Sequence, residues 1–420
     1  MNTAPPEIEL LAPAGGWTQL HAAIDAGADA VYFGIDRFNM RSKAGNFREE
    51  ELPEVVTALH GAGVRAYLTL NALVYERELS ELREVVGYAK ASFVDAVIAA
   101  DIAAIEEARK TELPVHISTQ MSIANSAAMA FWWDRGIRRF VLARECDLDA
   151  VARIRASMRN RYEAENMRLR IEAFAHGAMC VAVSGRCFMS GYDTGRSASR
   201  GDCAQPCRHA YEVRPVRGEN EGFVVEESHV MSPRDICTLP FLEQVLDAGV
   251  NCLKIEGRNR SPDYVHTVVT AYRRAIDTYL SFRGKPELEA QLDRVKAEEM
   301  DHLSRVYNRG FSQGFYMGRP TQDWTTPPGN QSTHRRDYIG RVLYMDHASG
   351  KAVIRLESRG LKVGEEIFVE SPTSGYLPWT PDRIDVEGQT VDEAEKGHTV
   401  QSSPPRPLEE GDRLYILTPR

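Results

Sequence analysis

The stretch Ile8-ELLAPAGGWTQLHAAIDAGADAVYFG-Ile35 decides the fold. A short apolar run, IELLAPA, leads into QLHAAIDAG, whose apolar residues recur at helical spacing. A second apolar run, DAVYFGI, follows. Working outward, the same rhythm returns as far as about residue 282. EELPEVVTALHGAG precedes VRAYLTL, LREVVGYAKASF precedes DAVIAAD, and IAAIEEARKTEL precedes VHISTQ. NSAAMAFWWDRG precedes RRFVLARE, and TLPFLEQVLDAG precedes CLKIEGR. Continuous apolar strands alternating with amphipathic helices indicate a parallel sheet covered by helices. A unit of about 25–35 residues repeated this often favours a (β/α)8 barrel of the TIM type over an open doubly wound α/β sheet. Eight strand candidates are counted, with a weak ninth at His229–Ser232, and the pattern does not tell which one stands outside the barrel. Gly27, Gly63, Gly136 and Gly249 fall where helix C-caps are expected. Ser261 and Pro262 mark the start of a helix, SPDYVHTVVTAYRRAIDTYLS.

Residues 1–282 are therefore expected to form the barrel, with an inserted cysteine loop at 178–210. A charged helix at about 286–306 and a Gly-, Pro-, Thr- and Gln-rich stretch make 283–333 a helix and linker. From 334 to 420 the pattern changes to short alternating strands (YIGRVLYMD, KAVIRLES, EEIFVES, DRIDVEG, DRLYILTP), which predict a small all-β barrel.

The chain has 420 residues, 43% hydrophobic and 26% charged, with a net charge of −9. These values fit a soluble globular protein and speak against non-specific coating of nucleic acid. No run reaches the ~18 apolar residues of a membrane span. The N-terminal stretch lacks a basic start and a long apolar core, so a cytoplasmic protein without a membrane partner is expected. In a reducing compartment, seven cysteines are not a disulfide framework.

Four of those cysteines cluster: Cys180-VAVSGR-Cys187-FMSGYDTGRSASRGD-Cys203-AQP-Cys207. Four thiolates on one loop can hold a soft metal or an iron–sulfur cluster. A four-thiolate zinc site usually shows CxxC knuckles, and none exists here. Cys146 and Cys252 read as buried small hydrophobes, and Cys237 competes with Cys207 as a fourth ligand. Arg186, Arg196, Arg200 and Arg208 lie in the same stretch, a local positive excess able to hold a carboxylate or a phosphate.

Active sites of (β/α)8 barrels lie at the C-terminal ends of the strands. Those positions carry Asn71, Asp101, Gln120, Arg144, His176, Glu256 and Arg258. Asp101 also reads as a helix N-cap. GxSxG, HExxH and the P-loop pattern are missing, so the common serine-hydrolase, zinc-protease and nucleotide-binding layouts have no support.

Several blocks resemble one family. Glu172-AFAHGAM-Cys180-VAVSGR-Cys187-FMS looks like the signature of the collagenase-like U32 peptidases, and NMRSKAGNF (39–47), STQMSIAN (118–125), RGDCAQPCR (200–208) and KIEGRNRSPDYV (254–265) are similar to further blocks in the same order. The family name implies proteolysis of unassigned catalytic type. Better-understood relatives are oxygen-independent hydroxylation proteins acting on a tRNA wobble uridine, a ribosomal RNA cytidine or a ubiquinone precursor. RGDCAQPCR and the C-terminal β-domain resemble the tRNA branch. The resemblance implies a [4Fe–4S] cluster on Cys180, Cys187, Cys203 and a fourth ligand that varies between branches of the family, here Cys207, and prephenate as hydroxyl donor. Arg41, Arg186, Arg200 and Arg258 become candidates to hold that dicarboxylate, beside Asn71, Gln120, Arg144 and Glu256. Glu172 and His176 are candidates to move a proton, with Glu172 alternatively a structural partner of a loop arginine. A non-catalytic iron–sulfur binding partner, and an oligomer of this chain or with a paralogue, stay open.

Overall fold

The computed structural model describes residues 8–42, 44–162, 168–211, 229–320, 323–325 and 329–420. The apolar runs become strands β1 (Glu9–Pro13), β2 (Ala30–Phe33), β3 (Arg65–Leu70), β4 (Ala96–Ala99), β5 (Val115–Ile117), β6 (Arg139–Val141) and β7 (Arg170–Gly177). Between them lie α1 (Trp17–Asp25), α2 (Leu52–Gly61), α3 (Leu79–Ala91), α4 (Ile102–Lys110), α5 (Ser126–Trp133) and α6 (Leu148–Arg161). Side chains of Asp101, Asn125 and Asp147 cap α4, α5 and α6 by accepting backbone N–H bonds. Gly27, Gly63, Gly136 and Gly249 all take positive φ just past helix ends, as their positions predict.

Strands β1 to β7 pair in parallel in chain order. A later strand, Cys252–Ile255, pairs in parallel with both β7 and β1 and closes a ring of eight. The eight candidates read from the sequence are thus the eight barrel strands. The weak ninth is not a strand at His229–Ser232. A three-residue strand just beyond it, β8 (Asp235–Cys237), runs antiparallel to the last residues of β7, outside the ring. After α7 (Met189–Thr194) on the cysteine loop and α8 (Leu242–Asp247) following β8, the ring-closing Cys252–Ile255 is β9. Helices α9 (Pro262–Phe282) and α10 (Leu288–Arg305) complete the outer layer. Ser261 occupies the N-cap position of α9 ahead of Pro262, but its side chain makes no capping bond.

The barrel interior is more polar than the branched aliphatic filling usual for this fold. An apolar layer of Leu11, Ala30, Tyr32, Tyr67, Ala96 and Ile98 meets a charged network. Arg139 bonds Glu172 at 2.6 Å and Glu9 on its other side. Arg65 and the Tyr67 hydroxyl reach Glu9 at 2.9 and 3.1 Å. Lys254 donates to the other oxygen of Glu172 at 2.9 Å.

The stretch read as a linker is knitted into the barrel instead. β10 (Phe311–Ser312) pairs with β8, the Tyr316 hydroxyl donates to the Phe174 carbonyl at 2.8 Å, and Thr325 N–H donates to the Ser232 carbonyl at 2.8 Å. Its Gly- and Pro-rich composition hides Phe311, Phe315 and Tyr316, whose rings pack on the core.

Beyond it, β11 (His334–Asp346), β12 (Lys351–Leu356), β13 (Leu361–Lys362), β14 (Ile367–Ser371), β15 (Gly375–Trp379), β16 (Ile384–Val386), β17 (Gln389–Val391), β18 (Glu393–Ala394), β19 (Thr399–Ser402) and β20 (Arg413–Pro419) form the all-β region. Eight of them make one antiparallel sheet, β15-β14-β20-β11-β12-β19-β16-β17, and β13 pairs with β18. They enclose their own core, with Ile354, Val369, Trp379 and Leu414 among its members. β15 seats on α1 through Gly375 at φ +70°, where a Cβ would come within 2.7 Å of the His21 Cβ. Arg406 ties the same face to Asp25 at 2.8 Å.

Candidate active site

The C-terminal strand ends converge on a cleft of about 650 Å³, part of it open to solvent. β2 contributes Tyr32, and the loop after it Met40 and Arg41. β3 contributes Thr69, with Asn71 one residue beyond. Ser118, Thr119 and Gln120 follow β5, and Arg144 follows β6. Phe174 lies on β7, Lys254 on β9, and Glu256 and Arg258 just after it. Four cations therefore face one carboxylate. Arg41 pairs with Glu256 at 2.7 Å. Burial pushes the Glu256 carboxyl up, but Arg41 and Arg144 prevail and hold it down at about 2. Arg258 is buried and, among the described residues, has no carboxylate within ion-pair distance. It donates to Thr69 at 3.1 Å and to Asn46, and its Nε has no hydrogen-bond partner among the described residues. Burial pulls this guanidinium down to about 10. Arg144 donates to the Ala178 carbonyl at 2.8 Å and lies 3.8 Å over the Phe174 ring. Such under-paired buried cations are seats for an anion.

The cysteine loop lies beside this cleft. It is pinned at Gly201, φ +82°, where a Cβ would meet the Asn39 carbonyl oxygen at 2.3 Å. The Ser42 hydroxyl donates to the Gly201 carbonyl at 3.0 Å. Arg208 holds the other end through the Met179 and Pro233 carbonyls, both at 2.6 Å. Cys180, Cys187, Cys203 and Cys207 all line one hollow of about 1170 Å³, part of it open to solvent. Backbone N–H of Gln205 donates to the Cys203 sulfur at 3.3 Å. Burial pushes the Cys207 thiol up, Arg208 pulls it back, and the other three thiols push it up again. Among the described residues no three Cys, His, Asp or Glu side chains converge on a point that a single ion could share. Cys237 is not part of this hollow. It is buried against Met300 and Tyr272, at 3.8 and 3.9 Å. Cys146 and Cys252 are buried as well.

Several residues singled out in the sequence sit elsewhere. Glu172 is 0% exposed and lies beneath the cleft, both oxygens engaged by Arg139 and Lys254. It is a partner of barrel cations rather than of a loop arginine, and it does not line the cleft. His176 is also outside both hollows. An irregularity in the β7/β9 register between Phe174 and His176 breaks the strand's alternation. The imidazole packs instead against Tyr264, Tyr272 and Phe311. Arg200 is taken up by Glu78, at 2.5 and 2.7 Å, and by the Tyr75 ring. Arg186 is exposed at the rim, donating to the Gln120 carbonyl at 3.1 Å. Asp101 caps α4, as its helix-start position suggests. Lys254, Tyr32, Ser118, Thr119 and Phe174 are cleft residues that reading strand ends missed, because they lie within or at the edge of apolar runs. A lysine inside the run CLKI was the available signal.

His176 carries a prediction. Burial, with a smaller push from Arg260, lowers its pKa to about 3. The unfolded chain, near 6.5, then binds a proton that the folded chain refuses. Stability is full above about pH 6.5 and falls toward pH 3, by at most about 1.4 kcal/mol per pH unit for this group. His176→Phe, which keeps the ring packing, is expected to flatten the urea midpoint against pH over that window. An unchanged slope would refute it.

A (β/α)8 barrel whose mouth joins a cationic cleft to a hollow lined by four thiols is the class that this fold and site define. The chain belongs to peptidase family U32, whose model matches residues 15–326. It is 37% identical over 417 residues to a collagenase of Porphyromonas gingivalis, covering 99% of each chain. It is 33% identical over 393 residues to the tRNA hydroxylation protein P1 of Bacillus subtilis, covering 92% of this chain and 89% of that one. It is also 33% identical over 328 residues to a 23S rRNA 5-hydroxycytidine synthase of Escherichia coli, covering 76% of this chain and 47% of the relative. Among the described residues no helix is long and apolar enough to cross a membrane.

Proposed function

We propose that this protein hydroxylates an RNA base without molecular oxygen, forming 5-hydroxyuridine at the tRNA wobble position. Prephenate supplies the hydroxyl group, and Cys180, Cys187, Cys203 and Cys207 hold a [4Fe–4S] cluster. The observation that carries the reading is a shared wall: Arg41, Arg144 and Cys180 border both the cationic cleft and the four-thiol hollow. A dicarboxylate paired with Arg258, Arg144 and Lys254 would lie against that wall. Glu172 acts through Lys254, fixing its ammonium at the cleft floor. The exposed Arg186 at the rim suits a phosphate.

The chemistry balances with an electron acceptor. Aromatisation of prephenate releases hydroxide, carbon dioxide and phenylpyruvate. Exchanging a base C–H for C–OH with that hydroxide releases one proton and two electrons, which pass to a cellular electron carrier. A cluster bound by the four thiolates would supply one-electron transfer.

The peptidase reading rests on the names of some relatives. Among the described residues, no histidine lines the cleft. The Ser118 hydroxyl bonds Gln120, and the Thr119 hydroxyl donates to the Leu142 carbonyl at 3.2 Å, so neither is paired with a base that could activate it.

The test is complementation. A strain lacking its tRNA hydroxylation proteins, given this chain and grown without oxygen, is expected to regain 5-hydroxyuridine derivatives by nucleoside mass spectrometry. Arg258→Gln is expected to lower them at least ten-fold with iron content intact. If a ribosomal cytidine or a quinone precursor gains the hydroxyl instead, the substrate assignment fails. Gelatin turnover abolished by one change in the cleft would favour the peptidase.

A further inference from the structure

Cys180 borders a third space besides the two already described. An apolar pocket of about 520 Å³ opens beside it, walled by Met179, Val181, Pro233, Phe315, Pro320 and Trp324. Trp324 is 40% exposed, yet its backbone is fixed. It bridges to Pro233 across a short antiparallel contact, and Arg234 N–H donates to the neighbouring Asp323 carbonyl at 2.9 Å. The Arg234 Nε–H donates to the Trp324 carbonyl at 3.2 Å. The pocket edge is polar. Asp323 Oδ2 accepts from the Ser312 hydroxyl, and Oδ1 has no hydrogen-bond partner among the described residues. The remaining N–H groups of Arg234 likewise have none.

We propose that this pocket seats the acceptor base, a pyrimidine extruded from an RNA loop, while the cationic cleft on the other side of Cys180 holds the dianionic donor. The inference rests on the function proposed above and adds where the RNA base goes. Carbon walls with one broad, held, exposed indole suit a planar ring, and base–aromatic stacking is a main source of single-strand affinity. Asp323 offers an acceptor to a ring or exocyclic N–H. Arg234 offers a cation to the phosphate that follows the base. Among the described residues the cationic cleft offers no such surface: its rings are Tyr32, whose hydroxyl donates to the Ile255 carbonyl at 2.9 Å, and Phe174, already covered by Arg144. Cys180 then stands between the two seats, on the walls of both.

The test uses the anaerobically purified full chain and two RNA stem-loops. They are identical except that one carries uridine and the other an abasic site at the same unpaired position. The wild type is expected to bind the uridine loop more tightly. Trp324→Ala should weaken uridine-loop binding roughly ten- to hundred-fold, the size of one stacked base. It should leave abasic-loop binding and iron content unchanged, and Trp324→Phe should restore most of the affinity. Equal losses on both loops, or no loss on either, would overturn the pocket and leave the RNA reading standing. A wild type that binds neither loop would overturn the RNA reading, and this inference with it.

Discussion

Cys207→Ala is expected to strip most of the iron from anaerobically purified protein, whereas Cys237→Ala leaves it in place. Wild-type protein should carry about four irons with matching sulfide if one [4Fe–4S] cluster is bound. Cys207 faces the same hollow as Cys180, Cys187 and Cys203. Cys237 is buried behind β7, where burial pushes its thiol up to about 11, far from the thiolate that a metal needs. Removing one of four ligands leaves one iron open to solvent and loosens the whole cluster, so the loss should be nearly complete rather than graded. Each of the other three cysteine-to-alanine changes should do the same. Stoichiometric zinc without sulfide, or iron retained in Cys207→Ala and lost in Cys237→Ala, would overturn the assignment.

The second large effect lies below the cleft. Arg139→Ala is expected to destabilise the protein by up to about 3–5 kcal/mol, because it removes the guanidinium shared by two buried carboxylates. Glu9 and Glu172 are both essentially inaccessible, and Arg139 bonds each of them. Lys254 and Arg65 would remain, one on each carboxylate, so the loss is partial compensation removed rather than a bare charge. The measurement is the urea midpoint at neutral pH, read with an unchanged m-value. Glu172→Gln separates two roles for that residue. As a buried ion partner it should lower the midpoint and loosen Lys254, raising the concentration of donor needed for half-maximal rate. Were it a proton carrier, turnover would collapse with stability intact. A midpoint within about 0.5 kcal/mol of wild type for Arg139→Ala, the range of ordinary surface changes, would refute the network's importance.

The sequence alone determined the barrel, and the reason is local. Each strand is an unbroken apolar run, and each helix carries its own period and its own glycine stop, so every unit could be read without its neighbours. The all-β character of the last residues was legible in the same way, from alternation and turns. The gathering of the four cysteines was legible because they are close in the chain. Other features needed the folded molecule. That β9 rather than β8 closes the ring is a matter of which strand reaches both β7 and β1, and no local pattern carries it. A register irregularity after Phe174 puts His176 among tyrosines. Arg200 is lost to Glu78, which is 122 residues away in sequence. Lys254 and Tyr32 were hidden in apolar runs, because a closed barrel gives its interior face to the site at one end and to the core below. That Cys207 lines the common hollow and Cys237 does not was likewise not legible in the chain. Charge, spacing and period act between neighbours in the chain and can be read there. Which side chains share a cavity depends on how distant strand ends meet, and only the tertiary structure decided that.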